Sequence, residues 1–182
     1  MSQKRYKMEI VETLVRSDKH IRGLAKELKT NQMMISRKIN ELQNENVVDY
    51  NQQGRNKVYF LKKTLEAQEY VLLMEHFKLI KIIQKYPILR QIIQKIKSNK
   101  KIRLAVLFGS YAKKSAHKDS DIDIYIETAS QSIKEQIEQI NTRISLKIGR
   151  YDRNNLLIKE IEKKHVLIKG VEEYYEKNKF FG

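Results

Sequence analysis

Apolar positions recur at helical spacing through the first third of the chain. Residues 4–16 place Met8, Ile10, Val11, Leu14 and Val15 on one stripe, which predicts a helix. Asp18 is suited to cap a second helix, where Ile21, Leu24, Ala25 and Leu28 repeat. Thr30 and Asn31 interrupt the pattern, and Asn31 is the expected N-cap of a third helix over roughly 32–46, burying Ile35, Ile39 and Leu42. The period then changes. Val47–Tyr50 and Lys57–Leu61 are rich in β-formers, and the polar connection between them carries Gly54, which predicts a hairpin.

Residues 64–99 return to helical stripes, with Val71, Leu72, Leu73, Phe77, Ile80, Ile83, Ile88, Leu89, Ile92, Ile93 and Ile96. Pro87 should end the first of these helices near Tyr86. The segment serves either as a connector packed on a neighbouring domain or, because its stripes are wide, as a homodimer seam. From Ile102 the pattern alternates strand and helix. Ile102–Phe108 and Ile122–Ile126 are strand-like, 130–141 helical, Arg143–Ile148 a half-buried strand, 153–164 helical, and Val166–Lys169 a short strand. The expected fold class is therefore α+β in three segments: 1–63, a helical connector 64–99, and a small α/β domain with a mixed sheet over 100–182.

Charge adds a bias towards polyanions. The net charge is +15, from 37 Lys and Arg against 22 Asp and Glu. The excess is spread along the chain, with 14 basic and 8 acidic groups in residues 1–66, 7 and 2 in 67–100, and 16 and 12 in 101–182. Such a field favours nucleic acids and nucleotides. The chain has no cysteine, which removes disulfides, thiolate metal sites and cysteine nucleophiles. It has no N-terminal h-region and no stretch approaching 18 uncharged apolar residues, so a cytoplasmic location without membrane contact is the expectation. The four histidines, His20, His76, His117 and His165, lack ligand-like spacing.

Three helices followed by a hairpin within about 60 residues is the order of a winged helix-turn-helix. The segment HIRGLAKELKTNQMMISRKINELQNENVVDYNQQGRNKVYFL resembles the winged-helix domains of small prokaryotic transcription regulators. With Ile35, Ile39 and Leu42 facing inward, Gln32, Met33, Ser36, Arg37 and Asn40 should face outward from the third helix. In this motif that helix enters the major groove of double-stranded DNA, where Arg and Gln or Asn read base edges. Lys38 and the wing residues Arg55 and Lys57 are suited to phosphate contacts. Protein interaction or dimerisation is the other use of such a module.

The strongest chemical signal is LFGSYAKKSAHKDSDIDIYIE. Gly109-Ser110 is followed by ten residues and then Asp121-Ile122-Asp123. Glycine after an apolar strand permits a sharp turn close to a phosphate, and Ser110 opens a helix. Asp121 and Asp123 lie two apart, so both carboxylates should point to one face of a strand and can hold Mg2+. Lys113 and Lys114 can steady a triphosphate. This G-S-x10-D-x-D pattern resembles the minimal nucleotidyltransferases of the DNA polymerase β superfamily over roughly residues 100–170. The whole arrangement resembles archaeal and bacterial fusions of a winged helix to such a domain.

The resemblance implies nucleotide binding by Gly109, Ser110, Lys113 and Lys114, and catalysis and metal binding by Asp121 and Asp123. It implies a Mg2+-dependent enzyme using a nucleoside triphosphate, ATP above all, with a hydroxyl acceptor that in some relatives is a partner-protein tyrosine. The family also places glycine where this chain has Lys114, and a third carboxylate on the later strand. Here that strand offers Ser145 and Lys147 on its polar face, and Asp152 follows it. A DNA-binding regulator whose transferase domain senses nucleotide without turnover is the alternative function.

Overall fold

The structure is a computed structural model that describes residues 3–181, and these divide into two units, essentially residues 3–77 and 78–180. In the first unit the elements are α1 (Gln3–Leu14), α2 (Ile21–Glu27), α3 (Gln32–Asn44), β1 (Val48–Gln53) and β2 (Asn56–Leu61). Ile10, Val11, Leu24, Ile35, Ile39 and Leu42 are fully buried, as the helical stripes require. Each such side chain gains about 1.5–3 kcal/mol on leaving water. Asn31 caps α3, its side chain accepting the Met34 N–H at 2.8 Å, which contributes ~1 kcal/mol. Asn46 ends that helix two residues earlier than the periodicity suggests. It adopts φ +61, a left-handed turn that asparagine tolerates, and the Val47 N–H closes onto the Leu42 carbonyl.

Two expectations for this unit are corrected. Asp18 does not cap α2. His20 does so, its Nδ1 accepting the Gly23 N–H at 3.2 Å, so the cap sits two residues later. Lys38 does not face outward. Its side chain is 1% exposed and its ammonium is held by both oxygens of Glu41 at 2.6 and 2.9 Å, which removes it from the set able to meet phosphate. Glu41 also receives Lys7 at 3.2 Å, and Lys7 reaches Glu45 at 2.6 Å. Hydrogen bonding from Lys38 is the first cause holding the Glu41 carboxyl below its ordinary range.

β1 and β2 form an antiparallel hairpin in which Tyr50 pairs with Tyr59 and their rings lie 5.7 Å apart. The turn places Gly54 at φ +58. Lys19 adds a bridge to the other side of Tyr59, exchanging backbone hydrogen bonds of 3.0 and 2.9 Å, a pairing that the sequence pattern does not signal.

α4 (Leu65–Lys85) stops just before Tyr86-Pro87, and α5 (Leu89–Ser98) follows. The segment 64–99 is thus shared out: the end of α4 and all of α5 belong to the second unit, with Leu79, Ile82, Leu89, Ile92, Ile93 and Ile96 in its core. That unit continues with β3 (Ala105–Leu107), α6 (Gly109–Ala112), β4 (Ile122–Glu127), α7 (Gln131–Glu138), β5 (Ile144–Gly149), α8 (Leu156–Lys163), β6 (Val166–Lys169) and α9 (Val171–Lys177). The sheet order is β5-β4-β3-β6. β4 and β5 run parallel, whereas β3 is antiparallel to both β4 and β6, so the sheet is mixed.

Alternation along the strands gives the sheet two different faces. Ala105, Leu107, Ile122, Ile124, Ile126, Ile144 and Leu146 pack in one core with the α5 isoleucines and with Ile133 and Ile137 of α7. The opposite face carries Asp123, Tyr125 and Glu127 of β4 beside Ser145 and Lys147 of β5. Part of this face is closed by aromatic packing, with Tyr125 against Tyr151 at 6.3 Å and Tyr151 against Tyr174 at 5.9 Å. Tyr151 donates to Glu162 of α8 at 2.8 Å, and burial pushes its phenol up to about 12. Glu127 accepts the Tyr151 N–H and the Lys177 ammonium. Asp123 lies at the other end of the strand, next to the exposed Asp121.

Candidate active site

β3 runs straight into the turn that builds the site. Phe108 is extended, its N–H donating to the Asp123 carbonyl at 3.0 Å, and Gly109 then takes φ +66. That left-handed geometry suits glycine, but the space decides the matter more strongly. A Cβ on Gly109 would lie 2.0 Å from Asp123 Oδ2, so the carboxylate occupies the volume that any side chain would need. Glycine and aspartate, fourteen residues apart, form one cradle.

The short α6 carries Ser110 and buries Tyr111, whose ring meets Tyr86 at 4.9 Å. Ser110 Oγ makes no intrachain hydrogen bond among the described residues, while its carbonyl accepts from the Ser115 N–H at 3.0 Å. Lys114 adopts φ +61. A glycine would adopt this conformation without strain, which gives a physical reason for the glycine found there in proteins of this pattern. Its carbonyl accepts the Lys85 ammonium at 2.7 Å, which ties the loop to the end of α4. Both Lys113 and Lys114 are exposed.

Asp121 precedes β4 and Asp123 is its second residue. Burial, and then the Asp121 charge, raise the Asp123 carboxyl above its ordinary value, while Lys147 and Lys113 partly offset the rise. The pair is therefore short of positive charge, and a divalent cation bound by one or two carboxylates plus substrate oxygens would meet that need. The Glu160 charge on α8 adds a small further push upward on Asp123, and no spacing in the sequence signals it. Among the described residues no group of three or more His, Asp or Glu side chains comes together as a metal cage.

The strand register fixes where a third acid would sit. Asp123 pairs with Ser145, and Tyr125 with Lys147, across the parallel β4–β5 ladder. Ser145 is thus the direct lateral neighbour of Asp123 on the same face, about 4.8 Å away between strands. Asp152 lies beyond the strand, exposed, its carboxylate accepting the Asn154 N–H at 2.9 Å in a local turn.

In the first unit, Gln32, Met33, Arg37 and Asn40 are exposed on α3 and Ser36 is half-buried; Met33 is 84% exposed. Arg55 and Lys57 are exposed on the hairpin, with the Lys57 ammonium 4.0 Å from the Tyr50 ring centre. Lys38 alone of the set is enclosed.

Residues 90–174 match the family described as Polymerase beta, Nucleotidyltransferase. The match covers α5 to β6 and most of α9, and the α+β fold with its mixed sheet fits such a domain. It supports a nucleotidyltransferase activity in general, and with it a nucleoside triphosphate substrate. No curated protein matches the chain. Among the described residues no helix is long and apolar enough to cross a membrane.

The cradle makes a direct prediction. Gly109→Ala forces a methyl group onto Asp123 Oδ2 and costs about 1–2 kcal/mol for the left-handed backbone alone. The thermal midpoint should fall by several degrees and nucleotide binding should be lost. A midpoint equal to wild type would contradict the cradle.

Proposed function

We propose that the second unit transfers a nucleotidyl group from Mg2+-ATP to a hydroxyl acceptor, and that the first unit is a winged helix that binds duplex DNA. The observation that carries the first part is the Asp121–Asp123 pair set against Gly109, with Ser110 Oγ uncommitted beside it. In the reaction the acceptor oxygen bonds the α-phosphorus and gives up its proton to solvent as the bond to the β-phosphate bridging oxygen breaks, releasing pyrophosphate. The two carboxylates would hold Mg2+, which would supply positive charge for the triphosphate and for the acceptor oxygen. Asp121 and Asp123 hold and orient that charge, the Gly109–Ser110 turn lets backbone and hydroxyl approach phosphate oxygens, and Lys113 and Lys114 attract the outer phosphates. In some of the proteins that this pattern resembles the acceptor hydroxyl is a partner-protein tyrosine.

Incubation with ATP labelled at the α-phosphate and, separately, at the γ-phosphate tests this reading. Only the α-label should become attached to an acceptor. Attachment of the γ-label would make the chain a kinase and overturn the proposal.

A second reading, nucleotide sensing without turnover, is favoured by one observation: the register puts Ser145, with Lys147 two residues on, where an acid would accept the proton. Nucleotide binding without label transfer to any acceptor is its signature.

DNA binding rests on the exposed polar face of α3 and the basic hairpin. Affinity should fall steeply with salt, and Arg55→Ala should weaken all sequences alike and flatten the log–log slope by about 0.9. Arg37→Ala should instead relax sequence preference by ~1–3 kcal/mol at one base pair. Lys38→Met should leave the salt slope unchanged, because Lys38 is enclosed with Glu41. Binding indifferent to salt would remove this assignment.

A further inference from the structure

Between Glu75 and Asp119 the chain runs 43 residues without an acid and carries twelve Lys and Arg in that stretch. Half of them lie exposed along α5 and the segment that follows it. Arg90, Lys95 and Lys97 are exposed on α5, and Lys100, Lys101 and Arg103 are exposed on the segment that leads from α5 to β3. None of the six has an acidic partner among the described residues. The turn beneath them is pinned, since the Lys169 ammonium donates to the Lys97 and Asn99 carbonyls at 3.0 and 2.8 Å.

We infer that this surface binds the phosphodiester backbone of a nucleic acid, separately from α3 and the hairpin. The outward face of α5 decides for that class of partner. Leu89, Ile92, Ile93 and Ile96 are all buried, and every exposed α5 side chain is Arg, Gln, Lys or Ser. A membrane surface would call for exposed apolar residues among the charges, which this helix lacks. A donor-rich face without acids suits phosphate oxygens. Arg90 and Lys97 share one helical stripe, seven residues apart, a rise of about 10.5 Å that is close to three base steps of a duplex. The surface lies in the matched transferase segment, so it would bring a nucleic acid to the unit that carries Asp121 and Asp123.

The test uses the full chain, with fluorescence anisotropy on duplex DNA, duplex RNA and single-stranded RNA of 20 nucleotides or base pairs. R90Q/K97Q/K101Q is measured in the wild-type background and again with R37A/R55A, so that failure of the α3 assignment leaves this one readable. On duplexes the log affinity versus log salt slope should flatten by about 2–3 in both backgrounds. R90K/K97R/K101R should retain the wild-type slope. The thermal midpoint should hold, because all three positions are exposed; if the triple variant unfolds, K97Q and K101Q alone should each flatten the slope by about 0.9. The probe with the largest change identifies DNA or RNA. Unchanged slopes on all three probes overturn the inference, as does loss of binding to phosphatidylserine vesicles with nucleic-acid binding intact.

Discussion

Asp121→Asn and Asp123→Asn should each abolish the Mg2+-dependent stabilisation by ATP while leaving the fold in place. In wild type, saturating Mg2+-ATP at a hundred times its Kd should add about 2.7 kcal/mol, and either variant should add nothing. The effect on the ligand-free protein should run the other way. Asp123 is held above its ordinary pKa by burial and by Asp121, so ionising it costs stability. That penalty is absent below the unfolded-state value of 3.8 and develops as pH rises through the raised folded value. Asp123→Asn should therefore be more stable than wild type near neutral pH, with the difference vanishing below about pH 3.8. Thermal unfolding followed from acid to neutral pH, with and without Mg2+-ATP, reads both effects. A variant that is less stable than wild type when ligand-free, or that still gains from Mg2+-ATP, would place these carboxylates in another role.

Ser145→Asp should raise nucleotidyl transfer, on the order of 100-fold if the new acid takes the acceptor proton. The warrant is the parallel register, which sets residue 145 directly beside Asp123 on one face. A serine hydroxyl does not accept a proton at neutral pH, and the Lys147 ammonium two residues on opposes a cation at the carboxylates. Wild type should thus bind Mg2+-ATP readily and turn over slowly. Ser145→Asn, which matches the shape without the charge, should leave the rate near wild type. A rapid wild type that Ser145→Asp slows would show that the proton leaves by another route.

The parts of the fold carried by local chemistry were legible in the sequence. Ile35, Ile39 and Leu42 repeat at helical spacing behind an asparagine cap, and the isoleucines of β4 and β5 alternate with polar residues because each strand has one core face. The polar face of β5 is read the same way, which puts Ser145 and Lys147 together on it. What escaped depends on which side chains actually meet, which residue spacing alone does not encode. Lys38 looks like an outward lysine until Glu41 is seen to enclose its ammonium, helped by Lys7 from another helix. His20 took the capping position expected of Asp18, since a side-chain acceptor at the N-cap can take the free N–H of the second or third helical residue, here Gly23. The contact between Gly109 and Asp123 could be anticipated only as a motif; its geometry comes from the antiparallel pairing of β3 with β4.

The Asp121–Asp123 pair, with Asp123 cradled against Gly109, directs attack at the α-phosphorus of ATP. Quantifying pyrophosphate and orthophosphate released by wild type, Ser145→Asp and Asp123→Asn in the presence of Mg2+ tests it most directly. Pyrophosphate should be the product, slow in wild type, faster in Ser145→Asp and absent in Asp123→Asn. Orthophosphate as the main product, or pyrophosphate release that survives Asp123→Asn, would contradict it.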